Sequence, residues 1–77
     1  MKTDIILFGQ LVELIGKDSI SLEGCVDSDT LLKTLKEQYP ILATTKFVMA
    51  IDKEIVNANR LLADKNIVAL LPPFSGG

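Results

Sequence analysis

Ile67-Val68-Ala69-Leu70-Leu71-Pro72-Pro73-Phe74-Ser75-Gly76-Gly77 is an apolar run cut off by two prolines and followed by a slim, glycine-ended tail. Its first five residues are apolar on both sides of a strand: Ile67, Ala69 and Leu71 on one face, Val68 and Leu70 on the other. Proline has no amide to donate to a ladder, so the strand ends at Leu71. A second run of this kind lies at the other end of the sequence, where Ile5 and Leu7 alternate with Ile6 and Phe8. The short continuous run has the pattern of a strand buried on both faces. Between these runs Leu11, Leu14 and Ile15 fall at helical spacing, with Gly16 placed to stop the turn. Ser19-Ile20-Ser21-Leu22 alternates with period two and closes at Glu23-Gly24, which reads as a half-buried strand. The best helix comes next. Ser28 or Asp27 caps it, Asp29 suits its positive end, and Leu31, Leu32, Leu35 and Tyr39 form one stripe. Lys33, Lys36 and Glu37 face water, and Pro40 ends the helix. After a loop, Phe47–Ile51 reads as a strand, Asp52-Lys53-Glu54 as a turn, and Ile55-Val56 as a return strand. Asn57–Arg60 reads as polar connection, with Leu61-Leu62 tucked beneath it.

This order, with four or five strands and one substantial helix, predicts a two-layer α+β domain over residues 1–71 and an extended tail over residues 72–77. One helix covers one face of the sheet. The other face, apolar on the first and last strands, is expected to be open unless the segments around residues 9–16 and 57–65 fold over it. An open apolar face of this kind marks a protein interface.

Size and composition agree with a need for a partner. A chain of 77 residues hides only about 60% of the surface its unfolded form exposes, and typical per-residue values put its stability at roughly 4–11 kcal/mol. Cys25 is the one cysteine and histidine is absent, which excludes an internal disulfide and argues against a zinc site. No residue beside Cys25 marks it as a reactive thiol, so it reads as structural. The chain is 48% hydrophobic, with a mean hydropathy of +0.35. Ten acids against eight bases give a net charge of −2 without charged blocks, which argues against nucleic-acid binding. No apolar run is long enough to span a bilayer, and Thr3-Asp4 interrupts any signal-peptide pattern. A cytoplasmic protein is the expectation.

The tail carries the chemistry. At ordinary glycine usage a terminal Gly-Gly arises in roughly 0.5% of chains. The prolines stiffen the path toward a polyproline-like extension, so the six residues beyond Leu71 reach on the order of 18–20 Å. Gly76 and Gly77 lack side chains, and their carboxylate fits a channel only as wide as a backbone. Phe74 has no sheet left to join; it folds back on the domain or inserts into a partner, and the second is favoured. The chain has no histidine for general base work, no Cys–His pair, no HExxH, no GxGxxG and no P-loop. It is therefore not expected to be an enzyme on its own. Activation of the carboxylate needs a nucleotide-using partner that forms an acyl-adenylate. Displacement of AMP by a sulfur nucleophile leaves a thiocarboxylate; attack by a lysine makes an amide instead.

Together, Phe8-Gly9-Gln10-Leu11-Val12-Glu13-Leu14-Ile15-Gly16 and Ile67–Gly77, with the order of elements between them, resemble the ubiquitin-like β-grasp sulfur carriers. The likeness is greatest to the small subunits of molybdopterin synthases and covers essentially the whole chain. The resemblance implies that Gly77 is adenylated by a separate E1-like enzyme that uses ATP, then converted to a thiocarboxylate, with Gly76 keeping the tail narrow. It implies delivery of sulfur to a cyclic pyranopterin precursor inside a large subunit, in a heterotetrameric complex. Partner-binding positions carried over are Phe8, Ile55 and Leu71, joined by Pro72, Pro73 and Phe74 of the tail. No bound cofactor or metal is implied. Three departures are modest: Leu71 stands where an aromatic is frequent, Val12 where a basic residue is common, and Asp64-Lys65-Asn66 where an Asp-Gly-Asp-type turn is usual. Other functions that share a Gly-Gly ending are a sulfur carrier for thiamine thiazole synthesis, a protein modifier joined to lysines, and a passive β-grasp adaptor.

Overall fold

In a computed structural model, which describes residues 2–73, the two terminal apolar runs lie side by side at the centre of one mixed sheet. The elements are β1 (Lys2–Leu7), α1 (Gln10–Ile15), β2 (Ser19–Glu23), α2 (Ser28–Gln38), a 3₁₀ turn (Pro40–Ala43), β3 (Val48–Ile51), β4 (Glu54–Ile55) and β5 (Ile67–Leu71). Strand order is β2-β1-β5-β3-β4. β1 and β5 run parallel, with Ile5 opposite Val68 and Leu7 opposite Leu70; the other pairings are antiparallel. This is the expected two-layer α+β arrangement, a five-stranded β-grasp sheet with one main helix on one face.

The inner face is continuous across the sheet. Ile5 and Leu7 of β1, Ile20 and Leu22 of β2, Val68 and Leu70 of β5, and Met49 and Ile51 of β3 are all buried. Leu31 and Leu35 of α2 close over them, and Leu11, Leu42 and Leu62 fill the margins, all in a single core. Cys25 is buried in that core, in keeping with a structural role. Leu32 and Tyr39 are half-buried at its edge.

Asp27 rather than Ser28 caps α2: its backbone is extended (φ −147°) and its Oδ1 accepts from the Thr30 amide at 2.9 Å. Ser28 is the first helical residue, and it is buried. The helix stops at Tyr39 (φ −128°), as Pro40 requires. Residues 40–43 then form a 3₁₀ turn rather than the expected irregular loop, because the fixed φ of Pro40 suits a first helical position. That turn drives Leu42 into the core.

Three other expectations change. β1 begins at Lys2 rather than Ile5, and it is not buried on both faces: it alternates strictly, with Thr3, Ile5 and Leu7 inside and Ile6 37% exposed. Leu62 is buried as expected, but Leu61 is 79% exposed, because Leu61 pairs with Asp27 as a one-residue bridge and so points away from the core. The Asn57–Arg60 connection is a fastening. Asn59 Oδ1 accepts from the Asp29 amide at 2.9 Å, its Nδ2 donates to Asp27 Oδ2 at 3.2 Å, and the Ser28 amide donates to the Arg60 carbonyl at 2.8 Å.

At the opposite end of the sheet Asp52 and Lys53 both have positive φ (50° and 72°), the backbone of a tight hairpin turn whose twist matches its strands. Asp52 also ties that turn to β5: its Oδ1 accepts from the Ile67 amide at 2.9 Å and its Oδ2 from Asn66 Nδ2 at 2.6 Å.

Truncation on the two faces separates core from surface. Leu35→Ala empties a fully buried site and is expected to cost about 2–5 kcal/mol in urea unfolding. Ile67→Thr on the outer face is expected to change stability by less than about 0.5 kcal/mol. The helix cap gives a pH signature. Hydrogen bonds from Thr30, then from Asn59, hold the Asp27 carboxyl below its usual value of 3.8. A carboxyl with a lower pKa folded than unfolded stabilises fully above the unfolded value and loses that contribution as pH falls through the folded one. The urea midpoints of Asp27→Ala and the parent should therefore differ at neutrality and converge as pH drops below 3.8.

Candidate functional site

The outer face of the sheet has no layer over it among the described residues. The same alternation that sends Ile5, Leu7, Val68 and Leu70 inward turns their neighbours outward. Parallel pairing sets Ile6 beside Ala69, and antiparallel pairing sets Ala50 beside both Ala69 and Ile55. The result is a shallow apolar groove of about 690 Å³. Small alanines form its floor, and Ile6, Phe8, Ile55, Ile67 and Leu71 form its walls. Phe8 is 45%, Ile55 44% and Ile67 56% exposed. Asp52 and Lys53 of the β3–β4 turn stand at one end as its charged rim. None of residues 9–16 or 57–65 lines it: Leu11 and Leu62 of those segments pack into the core on the other side.

The expected positions Phe8, Ile55 and Leu71 come from three separate elements and meet in this one groove. Pro72 and Pro73 continue directly from it, the first half-buried and the second exposed. Phe74, Gly76 and Gly77 lie outside the described residues. Ile6 and Ile67 were not among the expected site positions, although they contribute as much wall as Phe8. The period-two pattern of Ile6 and Phe8, and of Ile67 and Leu71, is the signal that marks them.

Gly9 is a second unforeseen participant. Its backbone (φ 60°, ψ −139°) lies where L side chains are strained, and a Cβ built on it would sit 2.8 Å from Pro72 Cγ. The base of the tail therefore packs against bare backbone at the end of β1.

The outer surface becomes polar across β2, where Ser21 Oγ donates to Asp4 Oδ1 at 2.7 Å. A second depression, about 420 Å³, lies between the start of α2 and the β3–β4 hairpin. The groups at its mouth are already used: the Asp29 amide and the Ser28 hydroxyl both donate to Asn59 Oδ1. No cluster of metal-binding side chains occurs among the described residues, and no helix there is long and apolar enough to cross a membrane. The arrangement offers an open apolar face beside Pro72 and Pro73.

Comparison with known proteins agrees with this geometry. The family model described as the ThiS family matches residues 5–77. The molybdopterin synthase sulfur carrier subunit of Dictyostelium discoideum is 34% identical, over 95% of this chain and 93% of that protein. Among solved structures, the small archaeal modifier protein 1 of Methanosarcina acetivorans superposes with a TM-score of 0.80 at 23% identity, covering 99% of this chain and 96% of that one. One chain of the protein–protein complex of subunits 1 and 2 of the molybdopterin-converting factor from Helicobacter pylori gives a TM-score of 0.74 at 22% identity, with that chain and this one covered in full. The structural likenesses carry the fold, and the sequence matches carry the kinship. On the match across residues 5–77 and the relative at 34% identity, this chain belongs to the ThiS family.

Proposed function

We propose that the chain is the sulfur-carrier subunit of a molybdopterin synthase. The observation that carries this reading is the continuity of the apolar groove with the root of the tail. Phe8, Ile55 and Leu71 share the groove, and Pro72 comes immediately after at its edge. A partner seated on the groove is thereby positioned to receive the tail. The kinship with a molybdopterin synthase sulfur carrier subunit supports the choice of partner.

In this reading the Gly77 carboxylate attacks the α-phosphate of ATP held by an E1-like enzyme, and pyrophosphate leaves. Sulfide, or a persulfide whose S–S bond a thiol then cleaves, displaces AMP and leaves a thiocarboxylate. The sulfur, ionised near neutral pH, is a far better nucleophile than the carboxylate it replaces. Gly76 and Gly77 thread into the large subunit's active site, where the sulfur attacks a carbon of the cyclic pyranopterin precursor and displaces an oxygen leaving group. Water then cleaves the acyl C–S bond, which leaves the sulfur on the pterin and returns the Gly77 carboxylate. The carrier contributes the reacting group and its delivery, while its partners hold the nucleotide and the pterin. Activity in the cytoplasm accords with this role.

The docking face itself is apolar with a charged rim, the layout of a protein interface whose centre excludes water. Binding energy in such interfaces concentrates in a few large central side chains, and here Phe8, Ile55 and Ile67 are the large groove side chains with most surface to lose.

Intact mass of the chain treated with the activating enzyme, ATP and a sulfur source is expected to rise by about 16 Da, one oxygen replaced by sulfur. The product, mixed with the large subunit and the cyclic precursor, is expected to yield the dithiolene. Absence of the heavier species in protein with an intact terminus overturns the reading, and a Gly77-dependent ladder of lysine adducts points to a protein modifier instead. Phe8→Ser and Ile55→Ser are each expected to weaken binding to the large subunit at least about tenfold, with the fold unchanged.

A further inference from the structure

The tail leaves the domain through a closely fitted joint. The Phe8 amide donates to the Leu70 carbonyl at 3.1 Å, and Leu71 is paired with Val48 on its other side. β5 is thus held on both flanks to its last residue. Pro72 has no amide to donate to either ladder, and its ring lies against Gly9. The Leu11 amide donates to the Phe8 carbonyl at 3.2 Å, closing a tight turn with Gly9 at its second position. The φ of 60° and ψ of −139° there match the mirrored turn that glycine favours. The bare Cα faces the Pro72 ring. A Cβ would lie 2.8 Å from Cγ and 3.5 Å from Cδ, the first well inside the 3.4 Å where ordinary contact begins.

The atom in the way belongs to a five-membered ring fused to the backbone. It cannot swing aside by a side-chain rotation, and beyond the small shift that a change of ring pucker allows Cγ, relief of the clash moves the main chain of Pro72 or of the Gly9 turn against it. For a tail that ran straight on from Pro72 at about 3.1 Å per residue, a tilt of about 10° there would carry its end about 3 Å sideways. Misplacement of about 1 Å is enough to cost a reaction on the order of a hundredfold.

We propose that the Phe8–Gly9 corner is a seat for the Pro72 ring, and that Gly9 is a positioning residue that aims the tail at the partner's active site. This rests on the sulfur-carrier reading for its consequence, but the seat can be observed without any sulfur chemistry. It assigns Gly9 a role beyond turn formation: the absence of a side chain admits the ring, and the ring sets the line of delivery.

The test compares the parent, Gly9→Ala, Pro72→Ala and the double variant as full chains. Each is measured for its urea midpoint, its affinity for the large subunit, and the single-turnover rate of sulfur transfer from preformed thiocarboxylate to the cyclic precursor. Gly9→Ala is expected to slow transfer roughly ten- to a hundredfold while affinity for the large subunit changes less than about threefold, since the groove is untouched. Alanine at 72 has no Cγ, so the double variant is expected to be no slower than Pro72→Ala alone, a non-additivity that contact between the two positions requires. Transfer by Gly9→Ala at the parent rate, or effects that simply add, would overturn the proposal. Should Gly9→Ala not fold, Pro72→Ala decides: transfer at the parent rate overturns it and slowed transfer with intact affinity sustains it. In the parent, proton NOEs between Gly9 Hα and the Pro72 ring are expected, and their absence disproves the seat. Failure of the parent to take up sulfur at all removes the sulfur-carrier reading instead and leaves the NOE result to judge the seat.

Discussion

Parallel pairing of β1 with β5 is the contact on which the rest of the molecule depends. It joins segments more than sixty residues apart, at a loop-closure cost that local hydrogen bonds alone do not offset. Its register is set by burial. Ile5, Leu7, Val68 and Leu70 are all inside, and a slip of one residue would carry that whole set to water. The same register lays Ile6 against Ala69 on the far face and brings the Phe8–Gly9 corner beside Leu71 and Pro72. Core, groove and tail root thus arise from a single alignment.

A sheet with one helix has one face too many, and this chain arranges its spare face unevenly. Toward β2 the outward positions are Lys2, Asp4, Ser19, Ser21 and Glu23, which are comfortable in water. Toward β5, β3 and β4 they are Ile67, Ala69, Leu71, Ala50 and Ile55. The division cuts across β1, with Lys2 and Asp4 on the polar side and Ile6 and Phe8 on the apolar one, and the apolar area is a compact patch rather than a scatter of single residues. Scattered apolar residues are ordinary on protein surfaces, while a contiguous patch signals contact with another molecule. The β4 edge beside the patch is only two residues long, Glu54 and Ile55, with Lys53 in the turn just before it, a short edge flanked by charge that discourages indiscriminate strand pairing.

Much of this was legible in the sequence because period-two and period-3.6 patterns report which face a residue takes. Leu31, Leu32, Leu35 and Tyr39 announce α2, and the doubly apolar runs at 5–8 and 67–71 announce the central strands and their surplus face. The features that escaped depend on contacts between residues far apart in sequence. Lys2-Thr3-Asp4 joins β1 although only Thr3 turns inward, because β2 is there to pair with it. Asn59 looks like loop filler until its side chain is found at the start of α2, thirty residues upstream. Leu61 and Leu62 are identical by composition, and only the bridge to Asp27 decides which is buried. Gly9 reads as a strand breaker, and its contact with Pro72 has no local signature at all.

Alternation along β1 and β5 gives the chain an economy that its size demands. In each strand one residue faces the core and the next faces the open groove: Ile5 and then Ile6, Leu70 and then Leu71. A chain of 77 residues has little surface to set aside for a dedicated binding domain, and a separate second core is out of reach at that length. Using both faces of the same strands removes the need for either. The consequence is a tight coupling between fold and docking, because the groove exists only while the β1–β5 register holds. A partner that binds the groove therefore stabilises the folded chain by mass action, and in doing so reinforces the register that places Pro72 against Gly9. With the Pro72 ring seated as proposed, docking and aiming would be two effects of one alignment, and neither would need an element of its own.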